Sequence, residues 1–383
     1  MNEIDKLLNN SVEEIIVREH LERVLKSGSK LRVKLGIDPT SSDLHLGHLV
    51  VLRKLKQFQD MGHKIVFIIG DFTAMIGDPS GRSETRKPLT ESQVRSNFKT
   101  YVQQASKILN VKKIEIRRNS EWHEKGGLKK ILEITSKASI QQILRRADFK
   151  ERMDGDQDIT MLELLYPLFQ GYDSVEVKSD LEVGGTDQKF NLLMGRRLQR
   201  LYGQSEQDIM TLPLLVGTDG VRKMSKSFDN FIALRDKPDI IFAKVMSVPD
   251  TLIKNYFEIL TDLEYQEVLP PYESKQSLAF EIVKMLYGEK LAGKAKDNFH
   301  SVFSQKEVPK NMPTIGIDGE EIAIVELLLL SGIKSKGEAR RLIKQKAIDL
   351  DGRLIENPEE LVVTSPPVVL KVGKKRFFRV TQI

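Results

Sequence analysis

The stretch from Leu31 to Gly70 constrains the fold most. Leu31, Val33, Leu35 and Ile37 alternate with Arg32, Lys34, Gly36 and Asp38, which is strand spacing. Pro39-Thr40-Ser41-Ser42-Asp43 breaks the strand, helical periodicity runs from about Gly47 to Met61, and Lys64–Gly70 is an apolar run with the length of a buried strand. Strand, turn, helix and strand in succession make a βαβ unit, so a parallel sheet is expected.

The pattern continues. Helices are expected over 12–27, 90–110, 127–150, 160–172 and 187–202, strands over 113–117 and 210–216, and an extended segment over 174–183. From 237 to 302 the signals are helical, broken at Pro249 and Pro270-Pro271. Residues 305–320 carry two prolines and two glycines and have a linker's composition. The remainder predicts helices at 321–330 and 335–345, then short strands with turns at Asp351-Gly352 and Pro366-Pro367. The division expected is therefore an α/β catalytic domain at 1–228 with a Rossmann-like parallel sheet, an α-helical domain at 229–304, a linker at 305–320 and a small α+β domain at 321–383. A chain of 383 residues is long enough for two or three domains.

Composition narrows the chemistry. The absence of cysteine removes disulfides, thiolate zinc sites and cysteine nucleophiles together. No apolar run reaches the roughly 20 residues of a membrane span, and Glu3, Asp5 and Lys6 make the N-terminus unlike a signal peptide. A soluble cytoplasmic protein is expected. The net charge of +6, from 60 Lys plus Arg and 54 Asp plus Glu, fits a solvated surface as well as an anionic partner.

Two motifs can hold phosphate. His45-Leu46-Gly47-His48 follows the first strand, where a helix start offers free N–H groups to an anion. Gly47 lets a nucleotide approach the backbone. A metal site at His45 and His48 would need a third ligand, and none has matching spacing, so no metal is expected. Lys223-Met224-Ser225-Lys226-Ser227 follows the Gly217–Gly220 turn and puts two flexible cations and two hydroxyls on one loop. Gly70–Arg82 is glycine-rich, but no Walker A spacing and no G-x-G-x-x-G occur, which removes the usual support for kinase-like and NAD-dependent readings. Tyr166, Gln170 and Asp173 lie at i, i+4 and i+7, one face of a helix. That face is otherwise apolar, so a buried Asp173 needs a partner; the alternative is an ordinary helix-end aspartate.

His-x-Gly-His with a later Lys-Met-Ser-Lys-Ser is similar to the signature of class I aminoacyl-tRNA synthetases. With Gly36-Ile37-Asp38-Pro39-Thr40, the Gly77–Gly81 run, Tyr166-x-x-x-Gln170-x-x-Asp173 and Gly184-Gly185-Thr186-Asp187-Gln188, the whole chain resembles the bacterial tyrosyl-tRNA synthetases. The resemblance implies a two-step tyrosine–tRNA ligase that uses ATP with Mg²⁺ as its substrate complex and has no tightly bound cofactor. Thr40, His45, His48, Lys223 and Lys226 would be catalytic. Gly36, Asp38, Gly47, Gly185, Asp187, Met224, Ser225 and Ser227 would join the histidines and lysines around ATP. Lys34, Asp78, Tyr166, Gln170, Asp173 and Gln188 would line the tyrosine pocket, with Gln188 on either the carboxylate or the ribose. Asp173 would accept from the substrate's phenol.

Position 34 is a tyrosine in a widespread form of the family. Lys34 would pair with Asp173 or contact the phenol oxygen. The resemblance further implies tRNA(Tyr) as partner, a homodimer, anticodon recognition by the helical region and RNA contact by the C-terminal domain. There Lys336, Arg340 and Lys344 form a helical stripe joined by Arg341, and Lys371, Lys374, Lys375 and Arg376 form a second cluster. Rival readings are a tryptophanyl-tRNA synthetase, a small nucleotidyltransferase and a non-catalytic RNA-binding regulator.

Overall fold

The computed structural model describes residues 2–80, 90–303, 312–373 and 376–382. Gly81 and Arg82 of the glycine-rich run, residues 305–311 of the expected linker, and Lys374 and Lys375 lie outside the described residues. The chain divides into two compact units, Met1–Ala295 and Lys296–Ile383.

The first unit is built on six strands: β1 (Glu14–Ile16), β2 (Arg32–Ile37), β3 (Lys64–Ile69), β4 (Glu115–Arg118), β5 (Leu181–Gly185) and β6 (Asp208–Leu212). Their order is β1-β6-β5-β2-β3-β4, all parallel except β1, which runs antiparallel to β6. β3 is an unbroken apolar run because both sheet faces are covered; Ile65 through Ile69 are fully buried. From β2 the chain steps to β3 and β4 on one side, and β5 and β6 stand on the other. The crevice between β2 and β5 is therefore a topological switch point, where α/β folds bind ligands.

Several local expectations are corrected. The helix expected from residue 12 starts only at Arg18, because Glu14–Ile16 pairs with Ile209–Thr211 as an edge strand. Ile15, Ile16 and Val17 form a β-branched run that fits a pleat better than a helix. The helix expected to stop near residue 172 runs Met161–Val177 and ends with Lys178 in the left-handed conformation, so only Leu181–Gly185 is extended. The segment 127–150 is three helices (Gly127–Thr135, Ile140–Ile143 and Ala147–Asp154), with Ser139 and Gln142 forming a new capping box at the second. Thr314–Ile317, inside the expected linker, is a strand.

Helix Met161–Val177 packs its Gly171 against helix Lys189–Leu201 at Gly195. A Cβ on Gly171 would lie 3.0 Å from the Gly195 backbone nitrogen, so a larger residue would require the facing helix to give by a few tenths of an ångström. Buried Phe149, Leu168, Phe169, Tyr172 and Leu198 close the core on that side of β3. Lys54, itself buried, donates to the carbonyls of Leu7 and Asn10 at 2.8 Å and ties the N-terminal helix Glu3–Asn9 to helix Leu46–Asp60. Helices Pro238–Met246, Ile253–Leu260 and Pro271–Tyr287 fill the rest, separated at the prolines as expected, and Gly288, with positive φ, separates the last of them from helix Glu289–Phe303.

The second unit has strands β7 (Thr314–Ile317), β8 (Glu321–Ala323), β9 (Ile348–Leu350), β10 (Arg353–Leu354), β11 (Leu361–Val363), β12 (Val368–Val372) and β13 (Arg376–Gln382). They form a five-stranded sheet, β10-β9-β12-β13-β7, and a two-stranded β11-β8. The helix expected at 321–330 begins at Ile324, since residues 321–323 pair with β11. Asp351 and Gly352 both have positive φ, as a tight β9–β10 turn requires. Ile324, Leu327, Leu328, Ile343 and Leu370 make a fully buried core. No helix among the described residues is long and apolar enough to cross a membrane.

Candidate active site

A cavity of about 700 Å³ opens over β2 and β5. Every candidate side chain named for the first unit lines it except Lys34. The two ends of the cavity differ in chemistry.

At one end stand the histidines and lysines. His45 caps helix Leu46–Asp60: its Nδ1 accepts from the Gly47 N–H at 3.2 Å, and His48 Nδ1 accepts from the His45 N–H at 3.2 Å. A Cβ at Gly47 would sit 2.9 Å from the His45 ring, so glycine is needed for this cap. Burial, together with Lys226 and, for His45, its neighbour His48, pushes the imidazoles down to about 2 and about 4. Both rings are therefore neutral. With Nδ1 accepting, the proton is on Nε2, and each ring keeps one N–H donor.

Lys226 donates to Ser41 Oγ at 2.8 Å and lies 3.6 Å from Asp43; burial lowers its pKa while Asp43 opposes the shift. Lys223 pairs with Asp187 at 2.8 Å. Their loop is held by a bridge between Val216 and Lys223, by Asn230 Oδ1 accepting from the Ser225 N–H, and by the Met224 N–H donating to Leu215. Thr40 is on the same wall, its N–H donating to the Asp38 carbonyl at 2.7 Å.

At the other end three carboxylates face one space. Asp38 accepts from Thr73 Oγ1 at 2.7 Å and from Tyr166 Oη at 2.9 Å. Burial raises it to about 7, with Asp78 and Asp173 adding to the shift and those hydroxyls opposing it. Gln170 donates to Gln188 at 3.4 Å, and Gln188 donates to Asp78 at 2.8 Å. The Gln170 Oε1 is buried without a partner among the described residues, an acceptor left over for a cation.

Two expectations about partners change. Asp173 does not lack one: Trp122 Nε1 donates to it at 2.9 Å, Asn119 Nδ2 at 3.3 Å, and His123 Nε2 lies at 3.1 Å. Nor does Lys34 pair with Asp173. Its ammonium meets Glu182 Oε1 at 2.7 Å, Ser174 Oγ at 2.8 Å and the Gln170 carbonyl at 3.3 Å. Sequence reasoning missed Thr73, Asn119, Trp122, His123 and Glu182. The lone tryptophan was a usable signal, since a buried indole N–H seeks an acceptor.

In the second unit, Lys336, Arg340, Arg341 and Lys344 are exposed on helix Lys336–Lys344. Lys336 pairs with Glu326, and Arg340 with Glu359 at 3.5 Å. Lys371 lies 5.4 Å from the centre of the Phe377 ring.

A split parallel sheet with a histidine loop and a lysine loop on one cavity defines a class I tRNA synthetase. The family model described as tRNA synthetases class I (W and Y) matches residues 26–304. A second, described as the tyrosine–tRNA ligase SYY-like C-terminal domain, matches residues 304–380. The chain is 46% identical to the tyrosine–tRNA ligase of Aquifex aeolicus over 98% of its length and 97% of that protein's. It is also 46% identical to the tyrosine–tRNA ligase of Thermotoga maritima, covering 98% and 96%. The chain belongs to the tyrosine–tRNA ligase family.

Solved structures share the fold. Tyrosyl-tRNA synthetase from Archaeoglobus fulgidus, complexed with L-tyrosine, aligns with a TM-score of 0.62 at 22% identity, over 77% of this chain and 99% of that one. A C-terminally truncated mitochondrial tyrosyl-tRNA synthetase of Aspergillus nidulans gives 0.64 at 20%, over 79% and 93%.

Proposed function

We propose that the chain is a tyrosine–tRNA ligase that activates L-tyrosine with ATP and transfers the tyrosyl group to the 3′ end of tRNA(Tyr). One observation carries this reading: Lys223, Lys226, His45 and His48 share a single cavity with Asp38, Asp78, Asp173 and Tyr166. A polyphosphate and a zwitterionic aromatic amino acid need those opposite environments.

In the first step a tyrosine carboxylate oxygen bonds to the α-phosphorus, and the bond to the β-phosphate bridging oxygen breaks. Tyrosyl-adenylate and pyrophosphate result. Neutral His45 and His48 donate Nε2–H to phosphate oxygens, and Lys223 and Lys226 meet the charge of the departing pyrophosphate. Thr40 assists, and Gly36, Gly47, Gly185, Asp187, Met224, Ser225 and Ser227 shape the nucleotide's bed. Mg²⁺ enters with ATP. Asp78, Gln170 and Tyr166 take the amino acid's ammonium, Gln188 orients its carboxylate, and Asp173 accepts from the phenol. In the second step a terminal ribose hydroxyl attacks the tyrosyl carbonyl, the bond between that carbon and the phosphate oxygen breaks, AMP leaves, and the hydroxyl proton passes to the departing phosphate.

Within this reading residues 1–228 are catalytic, 229–304 read the anticodon, and 321–383 contact tRNA through Lys336, Arg340, Arg341 and Lys344. The protein is cytoplasmic. It is a homodimer, for which exposed Leu128, Leu132 and Ile140 are the supporting surface. ATP–pyrophosphate exchange tests the reading. Exchange is expected with tyrosine and absent with tryptophan, and charging of tRNA(Tyr) should follow. No tyrosine-dependent exchange would overturn it.

A further inference from the structure

Lys34 and Glu182 are Cα partners on neighbouring strands β2 and β5; Glu182 lines the floor of the cavity and Lys34 stands beside it, outside the lining. Their side chains are 0% and 1% exposed. An ammonium has three donors, and Lys34 has three acceptors within reach: Glu182 Oε1, Ser174 Oγ and the Gln170 carbonyl. No N–H is left for a substrate atom unless one of these bonds breaks. Glu182 is equally engaged. Its Oε2 accepts from Ser174 Oγ at 3.0 Å and from Gln207 Nε2 at 2.5 Å.

The placement of these bonds is specific. Gln170 and Ser174 are one helical turn apart, and Asp173 sits within that turn. The pair therefore fastens one turn of helix Met161–Val177 to both strands flanking the crevice. A buried, fully satisfied network of this kind permits a single arrangement.

We propose that Lys34 and Glu182 are positioning residues that set the preference for a hydroxylated ring from the floor of the pocket, by fixing the height of the Gln170–Ser174 turn and hence of Asp173. The proposal rests on the tyrosine-activation reading above. Phenylalanine makes no use of the Asp173 carboxylate, so a displaced turn costs tyrosine more than phenylalanine.

The test uses full-length protein, pyrophosphate exchange with each amino acid, and thermal melts. The variants are Lys34→Met and Lys34→Met/Glu182→Met. The single variant strands a buried carboxylate and should melt earlier. The double variant replaces the pair with apolar side chains of similar volume, and its melting temperature should recover. The tyrosine-over-phenylalanine ratio of kcat/KM should fall about tenfold or more in both, with KM for ATP held within about twofold. If the single variant does not fold, the double variant carries the measurement.

A ratio that stays at the wild-type value in a folded variant overturns the positioning role. So does a ratio that recovers with the melting temperature, since that is the mark of a merely structural pair. Wild-type protein lacking tyrosine-dependent exchange would instead overturn the activation reading, and the proposal with it.

Discussion

The Lys226 ammonium donates to the Ser41 hydroxyl across 2.8 Å, joining the loop after β2 to the loop after β6 on one wall of the cavity. Two short motifs far apart in the chain thus act on one space. Lys226→Ala should lower kcat for adenylate formation by about 10²–10³. KM for tyrosine should stay within about twofold. Pyrophosphate exchange under varied tyrosine measures both. A variant with near-normal kcat and a large rise in tyrosine KM would contradict the assignment.

Asp38 predicts a pH dependence. In the free protein it is raised to about 7, so below that pH it carries a proton. Tyr166, which takes the tyrosine ammonium in the proposed reaction, donates to Asp38; an ammonium bound there favours the ionised form, and binding at lower pH must displace the proton. Tyrosine affinity should therefore fall as pH drops through about 7, by at most about tenfold per unit. The two histidines, neutral down to about 4, add nothing in this range. Tyrosine KM followed between about pH 5.5 and 8 would show the trend, and Asp38→Asn should flatten it.

Removing the Asp173 carboxylate leaves the donors on Trp122 and His123 facing nothing and takes from the Asn119 amide one of its two acceptors, Thr73 keeping the other. Asp173→Ala should cost about 2–4 kcal/mol of stability. In whatever folded protein remains, the preference for tyrosine over phenylalanine should shrink, because a site built to pair a hydroxyl rejects its absence. Parallel kcat/KM values for the two amino acids give the answer. An active variant with full discrimination would take Asp173 out of that role.

Lys54 is buried, and burial, with Arg53 adding and Asp262 opposing, brings its pKa down to about 7. The unfolded chain keeps that proton up to about 10.5. Between the two values the unfolded state binds more protons, so this site's contribution to stability rises with pH. The cost of burying the charged form is present in full below about 7. Wild type should thus gain on Lys54→Met as pH increases from about 7 to 9, by at most about 1.4 kcal/mol per unit. Urea unfolding of both proteins at several pH values would detect it.

Exposed Lys344 on helix Lys336–Lys344 should meet a tRNA phosphate. Lys344→Ala is expected to weaken tRNA binding and to reduce the slope of log K against log salt by about 0.7–0.9. Filter binding across salt concentrations is sufficient. An unchanged slope would leave Lys344 a solvated surface residue.

The sequence made β2, β3 and the loop between them readable, because each is a local pattern: alternation, a proline break, an apolar run. The two phosphate-seeking loops were readable for the same reason. The strand β1 was not, since three residues take that form only through pairing with Ile209–Thr211. The donors around Asp173 come from some fifty residues upstream, and no periodicity links Trp122 and His123 to a helix at 161–177. Lys34 enters the expected tyrosine pocket through the family pattern, with Asp173 or the phenol oxygen as its expected partner. Its true partner followed from which strands stand side by side, and strand order is written in no single segment.

The contact between Gly171 and Gly195 bears on how inherited changes in such a chain should be interpreted. One methyl group at Gly171 would press at 3.0 Å on the backbone of the facing helix, and the helix that bears it also carries Tyr166, Gln170 and Asp173. Loss of recognition can therefore arise from a residue that never approaches the amino acid. A screen that scores only cavity-lining positions would overlook it.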